Sequence, residues 1–293
     1  MNAVKKTSAA ARLHPAVQFA YFGVVIGFPM LLDHPVIQLA GLAGALCFYI
    51  RIGGTRGILK LAAPAAVFAA LINGLFNHRG ETVLFLLPTK NAVTLESILY
   101  GLSAAVMLIT VLLWFGCCSE ILTSDRFVYL FGRLLPSMSL VLSMTLRFVP
   151  RFITRLEEIK EARQCLGISG NTKKQKLKNA FTCFSVMTTW ALEGSIETAD
   201  SMKARGYGLR GRTSYAVFTL TERDLCALLL LFFAAVFLIS GAVSGGLRWR
   251  YFPSVSGELS APLTIAVGTI YTAVCAAPII FELWEDRRWN RSL

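Results

Sequence analysis

Long apolar runs without any Asp, Glu, Lys or Arg dominate the pattern of this chain. Six of them can be read directly, at 13–32, 34–50, 61–78, 97–119, 225–247 and 259–281. An α-helix needs about 20 residues to cross a hydrocarbon core roughly 30 Å thick, because it rises about 1.5 Å per residue. The pattern therefore predicts six transmembrane helices, of which 34–50 is the shortest and the least certain.

The composition supports the same interpretation. Hydrophobic residues make up 55% of the chain and charged residues only 16%, whereas soluble proteins average about 25% charged residues. We therefore expect an all-α integral membrane protein. Its N-terminal spans, about four, would lie in 1–118, and its C-terminal spans, about two, in 223–293. The segment 119–222 would form an insert between them.

The distribution of basic residues predicts the orientation. With both termini in the cytoplasm, the short inside segments carry nine Lys and Arg and the outside loops carry four. Because Lys and Arg concentrate on the cytoplasmic side of spans, we expect both termini and the insert to be cytoplasmic. The net charge of +12 is then mainly a topology signal, and no nucleic-acid-binding pattern accompanies it.

The insert is too long for a structureless loop, and it carries a helical pattern. From Pro136 onward, apolar residues recur every three or four positions, which predicts an amphipathic helix that Pro150 kinks or divides. A polar connector is predicted over 169–178, and a second amphipathic helix over about 177–205. The apolar positions of the two helices are Leu140, Met144, Phe148, Phe152, Leu156, Ile159 and Ala162, and then Ala180, Phe181, Phe184, Met187, Trp190, Ala191 and Met202.

The connector contains four lysines. They suit contact with anionic lipid headgroups, and equally a solvated turn that keeps the segment soluble. The second helix ends in Ala204-Arg205-Gly206. Gly206 can take the left-handed conformation that ends a helix, and Arg205 then presents a fork of donors suited to a carboxylate. A helix cap with favourable charges, including Arg210 and Arg212, explains the same pattern without any partner.

Three acidic residues, Glu193, Glu197 and Asp200, line one face of the second predicted helix. They suggest acid–base catalysis or a cation site, but no His, Cys or further carboxylate converges with them in sequence. A solvated or partner-facing surface is the favoured interpretation. The chain has no Walker A pattern, metal-ligand cluster or nucleophile motif. We therefore predict that it is not an enzyme by itself and binds no metal.

Three stretches together resemble the transmembrane T component of energy-coupling factor (ECF) transporters, a branch of the ABC importers. The first is 73–85, which runs from Asn73 to Phe85. The second is 146–150, followed by Glu157 and by 162–167. The third consists of Ala199 and 202–207, with Arg212 and Thr213 shortly after.

The resemblance implies about six transmembrane helices plus two long amphipathic coupling helices on the cytoplasmic side. Each coupling helix would end in an Ala-Arg-Gly-type motif that docks on one of two ABC ATPases. The second motif, Ala204-Arg205-Gly206, is intact. The first falls at Cys165-Leu166-Gly167, where Leu166 stands at the arginine position and only the glycine matches.

The resemblance also implies the function. The chain would transmit ATP-driven motion of the two ATPases to a substrate-binding S component, for uptake of a vitamin or metal ion across the cytoplasmic membrane of a bacterium or archaeon. ATP and Mg would be bound by the ATPases and no cofactor by this chain. The residues that would contact the S component are Phe148, Phe152, Phe181, Phe184 and Trp190.

Two alternatives stay open. One is a conventional ABC permease that carries substrate through its own spans. The other is a membrane enzyme or scaffold with its site in the insert.

Overall fold

The computed structural model describes residues 13–53, 56–77, 80–86, 92–132, 136–167, 172–209, 218–244, 247, 249–257 and 261–290. In chain order, the described helices and strands are α1 (Pro15–Leu31), α2 (Pro35–Ile52), α3 (Arg56–Phe76), β1 (Val83–Leu86), β2 (Ala92–Thr94), α4 (Leu95–Ile121), α5 (Ser124–Gly132), α6 (Pro136–Cys165), α7 (Lys173–Ala204), α8 (Glu222–Val243) and α9 (Pro262–Asn290).

The chain forms two compact units. The bundle unit comprises Met1–Thr123 and Phe218–Leu293, and the insert unit comprises Ser124–Val217. The bundle unit contains α1–α4, α8, α9 and the two strands, and the insert unit contains α5–α7.

All six predicted spans fall on helices of the bundle unit. Within the described residues, α2, α4, α8 and α9 up to Trp284 are long and apolar enough to cross a membrane. α1 and the apolar part of α3, Ala62–Gly74, are shorter. A mainly helical chain with several helices of spanning length is therefore confirmed, while the count of six stays a prediction. The helix over the least certain run, α2, is among the four.

α1 and α2 begin in the same way, at a His-Pro pair. The Nδ1 atom of His14 accepts a hydrogen bond from the Ala16 N–H at 3.2 Å, and that of His34 accepts one from the Val36 N–H at 3.3 Å. The proline that follows each histidine occupies the first helical position. An N–H there would have no partner within the helix, so its absence costs no hydrogen bond. Both histidines are therefore helix caps.

The core of the bundle unit forms around Trp114 of α4, which is fully buried. Its indole N–H donates to the Gly41 carbonyl at 3.2 Å, and its ring lies 5.9 Å from that of Phe48. Tyr271 of α9 donates its hydroxyl to the Val25 carbonyl at 3.0 Å. These contacts join α1, α2, α4 and α9, and they satisfy the polar atoms that the large aromatic rings bring into the core.

Polar contacts show which helix ends share a side of the bundle. The His14 N–H donates to Asp224 Oδ1 at 3.0 Å, which joins the starts of α1 and α8. Arg51 Nε, in the last turn of α2, lies 3.7 Å from Glu282 Oε2, near the end of the apolar part of α9. The starts of α1 and α8 therefore lie together, and the last turn of α2 lies beside α9, as the predicted topology requires. Which of the two sides is cytoplasmic stays a prediction.

A small β-hairpin precedes α4, and the sequence analysis did not predict it. β1 and β2 pair antiparallel, with Val83 opposite Thr94. Glu96, only 3% exposed, accepts hydrogen bonds from the Thr82 hydroxyl at 2.6 Å and the Thr82 N–H at 3.3 Å. The hairpin includes part of the first stretch that carries the ECF resemblance; His78 and Arg79 of that stretch lie outside the described residues.

The insert unit is built on two long helices, α6 with 30 residues and α7 with 32. Pro150 was expected to kink or divide this helix. The division is wrong, because this proline lies inside an uninterrupted α6, and the kink stays a prediction. A proline removes one N–H donor, and the other turns keep their hydrogen bonds.

The predicted connector is also too long, since α7 already begins at Lys173. Gln175 accepts a hydrogen bond from the Thr172 N–H at 3.2 Å, which caps the helix ahead of the lysines. The four lysines therefore belong to the first two turns of α7. The short helix α5 was not predicted.

Candidate functional site

α6 and α7 end in the same backbone conformation. Gly167 and Gly206 have φ angles of +72° and +80°. The preceding residues, Leu166 and Arg205, still donate their N–H to the carbonyl four positions earlier, at 3.2 Å in both helices. Each glycine then donates to the carbonyl three positions earlier, at 2.9 Å in both. The two predicted motifs are therefore matched helix ends, and glycine suits both because its left-handed backbone conformation disfavours other residues.

The side chains that precede the two glycines differ in chemistry. Leu166 is 74% exposed and Arg205 is also exposed. Within the described part of the chain, no acidic residue forms an ion pair with Arg205, whereas the nearby Lys203 lies 4.0 Å from Asp200. Arg205 thus presents donors from a helix C-terminus, where positive charge is favourable, and Leu166 presents an apolar side chain at the matching position.

α6 and α7 pack antiparallel. Phe152 and Trp190 lie with ring centroids 5.9 Å apart, and Arg163 donates to Asn179 Oδ1 at 3.1 Å. Both contacts join α6 to α7. From the first contact to the second, the position on α6 rises by 11 residues (163 − 152), whereas the position on α7 falls by 11 residues (190 − 179). Eleven helical residues extend roughly 16 Å, so α6 and α7 lie side by side over at least that length.

This arrangement puts the two motif ends far apart. The end of α6 lies beside the first turns of α7, because Arg163 bonds to Asn179. The Arg205 motif lies at the other end of α7, whose 32 residues extend about 48 Å. The insert unit therefore presents two similar helix ends at opposite ends of one antiparallel helix pair.

Three aromatic rings, which we call the aromatic junction, pack between the helices. Phe148 stacks on Phe152 at 5.9 Å, and Phe152 meets Trp190 edge-on at 5.9 Å. The guanidinium carbons of Arg151 and Arg155 lie 5.1 and 5.4 Å from the centre of the Trp190 ring. A cation over an indole face is attracted by the ring quadrupole, so the two arginines of α6 stabilise the junction.

A cavity of about 360 Å³ opens beside the aromatic junction. Its lining combines the junction rings and Arg151 with two residues of the predicted acidic face, Glu193 and Glu197. The third acidic residue, Asp200, lies near Lys203 instead. The cavity thus offers an aromatic surface together with both signs of charge.

The predicted apolar residues of α7 separate into two faces. Trp190 and Met187 are half-buried on the side that packs on α6, next to the buried Cys183. Phe181 and Phe184 are each 67% exposed and lie outside the aromatic junction. The residues predicted as one apolar stripe of this helix therefore divide between two faces, because hydrophobicity alone does not show which apolar residues meet the neighbouring helix.

Sequence reasoning missed several residues that build this arrangement. Arg151 and Arg155 were not among the predicted contact residues, yet both reach Trp190. Their spacing of four residues, next to aromatic positions on α6, is the signal that could have indicated it. The hydrogen bond between Arg163 and Asn179 had no signal in the sequence. Arg210, Arg212 and Thr213 lie outside the described residues.

Comparison with known proteins bears on the resemblance. No protein-family model matches this chain. A similar curated protein is the energy-coupling factor transporter transmembrane protein EcfT of Exiguobacterium sibiricum, which is 31% identical over 105 residues. The match covers 35% of this chain, and the chain spans 40% of the length of that relative. The resemblance to the transmembrane component of ECF transporters is thus confirmed over about a third of the chain.

Proposed function

We propose that this chain is the transmembrane coupling (T) subunit of an ECF-type ABC importer. The observation that carries the proposal is the pair of matched helix ends, one at the end of α6 and the other at the far end of α7. A dimer of two ATPases needs two such contact points on one membrane subunit. The similarity to an ECF transmembrane protein supports the same assignment.

In this proposal the Arg205 motif docks on one ATPase through charge-assisted hydrogen bonds. A guanidinium fits a carboxylate with two parallel bonds, which fixes geometry as well as charge. The Leu166 end docks on the second ATPase by apolar packing, because leucine has no donor to offer. The two docking contacts are therefore chemically unequal, and the Arg205 contact is the one sensitive to charge reversal.

The coupling step follows from the contacts that join the two insert helices. ATP binding and hydrolysis belong to the ATPases, which also hold the Mg, and their closure moves the two helix ends. The aromatic junction and the bond between Arg163 and Asn179 keep α6 and α7 together during this movement. The pair then passes the displacement to a substrate-binding S component, which delivers a vitamin or a metal ion to the cytoplasm.

The aromatic junction and its cavity are the surface that we assign to the S component. Half-buried aromatic rings beside an open cavity provide contact area with little loss of side-chain freedom, as at other protein interfaces. Phe181 and Phe184 were grouped with these rings from sequence. Because they lie on a different face of α7, we do not include them in this contact.

The test is co-purification of the full chain with two candidate ATPases and an S component encoded beside it. We expect Arg205→Glu to abolish recovery of the ATPases, since breaking a buried charge pair costs about 2–5 kcal/mol. The matched control is Lys203→Glu, the same charge change two residues earlier, and it should leave recovery within about twofold of wild type.

Equal recovery of the ATPases with wild type and Arg205→Glu would refute the docking role of Arg205. A chain that never recovers ATPases but carries out a reaction lost in Glu193→Gln would instead support a membrane enzyme. Transport by the chain without an S component would support a conventional permease.

A further inference from the structure

We propose that the first half of α7 binds the anionic surface of the membrane through a basic and apolar strip. The strip consists of Lys173, Lys174, Lys176, Lys178, Leu177, Phe181 and Phe184, all of them exposed. It is distinct from the aromatic junction and from both helix ends. This inference concerns lipid, and it does not depend on the transport role proposed above.

The geometry of α7 separates the apolar residues of the strip from the face that packs on α6. Leu177, Phe181 and Phe184 follow one another at intervals of four and three residues, so they share one face of the helix. Cys183, which is 5% exposed, and the half-buried Met187 lie on a different side of the helix. They share that side with Asn179 and Trp190, the residues that contact α6. Three large apolar side chains are therefore left on a face that no described residue covers.

The charges around this face select the partner. Between Glu161 and Glu193 the chain carries five basic residues and no acidic one. Arg163 is engaged with Asn179, and the other four are the lysines of the strip. Juxtamembrane Lys attracts anionic lipid, with a contribution of about a fivefold change in binding for each residue near the surface.

The combination of features is that of a helix lying in an interface. Such a helix buries one apolar face at the boundary of headgroups and acyl chains, while flanking Lys reach the phosphates. α6 and α7 belong to an insert whose two ends continue into α4 and α8, both of them long and apolar enough to cross a membrane. The strip therefore belongs to a segment that is tethered at both ends to helices of spanning length.

The experiment measures how fast each lysine reacts with a water-soluble acetylating reagent. The full chain is placed in nanodiscs of phosphatidylcholine alone or of equal parts phosphatidylcholine and phosphatidylglycerol, and mass spectrometry follows each site. We expect the four strip lysines to react at least about threefold more slowly in the anionic discs. Lys203, on the same helix but outside the strip, is the internal control and should react equally in both.

The lipid contact must respond to salt and to loss of the apolar residues. At 0.5 M salt the screening length falls to about 4 Å, so the difference between the two kinds of disc should disappear. Phe181→Gln combined with Phe184→Gln should reduce the protection of the lysines by at least about twofold. Ile196→Gln is the matched control, because Ile196 is also exposed on α7 but lies between Glu193 and Glu197.

Two results would overturn the proposal. Equal lysine reactivity in neutral and anionic discs would show that the strip does not bind anionic lipid. Protection that is absent in anionic discs, and arises only when an S component is co-purified, would assign the strip to that protein. Both variants remove exposed side chains, so unchanged helix content by circular dichroism is expected and would verify that folding is intact.

Discussion

Gly167 and Gly206 end two different helices with φ angles only 8° apart, +72° and +80° (80 − 72). The backbone hydrogen bonds have the same lengths at both ends: 3.2 Å for the bond donated by the residue before each glycine, and 2.9 Å for the bond donated by the glycine itself. The residues before these glycines, Leu166 and Arg205, are thus presented in equivalent ways at the ends of α6 and α7. The difference between the two ends lies in one side chain and not in the backbone.

The first prediction concerns these glycines. We expect Gly206→Ala to cost about 1–2 kcal/mol, because an L side chain in the left-handed conformation clashes with the backbone. A Cβ at Gly206 would also lie 3.2 Å from Leu209 Cδ1. Recovery of the ATPases in co-purification should fall about tenfold, since Arg205 is no longer presented correctly.

Gly194→Ala is the control for this prediction. Gly194 lies inside α7, and a Cβ added there would stand in open space, so alanine should stabilise the helix by up to about 1 kcal/mol. If Gly206→Ala binds ATPases as well as Gly194→Ala does, the left-handed end is not needed for docking.

The second prediction tests whether the Leu166 end is a weakened version of the Arg205 end. Because the backbones match, Leu166→Arg should present a guanidinium as Arg205 does. We expect ATPase recovery to stay the same or to rise, by up to about tenfold if a carboxylate is within reach. Quantitative pull-down at increasing ATPase concentration measures it.

A loss of assembly in Leu166→Arg would contradict this expectation. It would show that the first end uses an apolar pocket that excludes charge. Leu166→Met separates the two cases, since methionine keeps the apolar contact at similar volume.

The third prediction concerns the aromatic junction. Each arginine over Trp190 contributes about 0.5–1 kcal/mol at an exposed site, so Arg151→Gln with Arg155→Gln should weaken the packing of α6 on α7 by about 1–2 kcal/mol. Hydrogen exchange of backbone amides near Trp190 should accelerate about tenfold, which mass spectrometry of the purified chain would detect.

Arg147→Gln is the matched control, because Arg147 is an exposed arginine one turn earlier on α6. It should leave exchange near Trp190 within about twofold of wild type. Equal acceleration by Arg147→Gln would mean that net charge, and not contact with the indole, stabilises the junction.

The sequence was sufficient for some features of this molecule and insufficient for others, for physical reasons. Charge-free runs locate helices such as α4, because burial in lipid excludes charge along a whole segment. The end of α7 at Gly206 was also predictable, since glycine has few other reasons to stand there. These features depend on local chemistry.

Features that depend on pairing between distant residues escaped prediction. Phe181 and Trp190 are both apolar, and only the position of α6 determines which of them is covered. The small residues Cys183 and Asn179 form the packed side of α7 next to Arg163, although hydrophobicity favoured the phenylalanines. Of the two effects predicted for Pro150, division of α6 does not occur, because a proline weakens a helix but does not have to end it.

The last prediction concerns the hairpin before α4. Gly80 has a φ of +151°, and a Cβ there would lie 2.5 Å from Glu96 Oε2 and 2.7 Å from Thr94 Oγ1. Both atoms belong to buried residues that cannot move away freely. We expect Gly80→Ala to destabilise the bundle unit by about 2 kcal/mol, and to lower the midpoint of thermal unfolding in detergent by roughly 4–8 °C.

Two further variants test whether the clash with Glu96 is the cause. Gly27→Ala in α1 places its Cβ in open space, so it should not lower the midpoint. Glu96→Ala removes the carboxylate that holds Thr82, and alone it should be destabilising by about 1–3 kcal/mol. If the clash is real, Glu96→Ala costs less in the Gly80→Ala background than in wild type, because the added methyl group then meets no carboxylate. Strictly additive losses would show that backbone strain at Gly80 or contact with Thr94, and not contact with Glu96, determines the need for glycine.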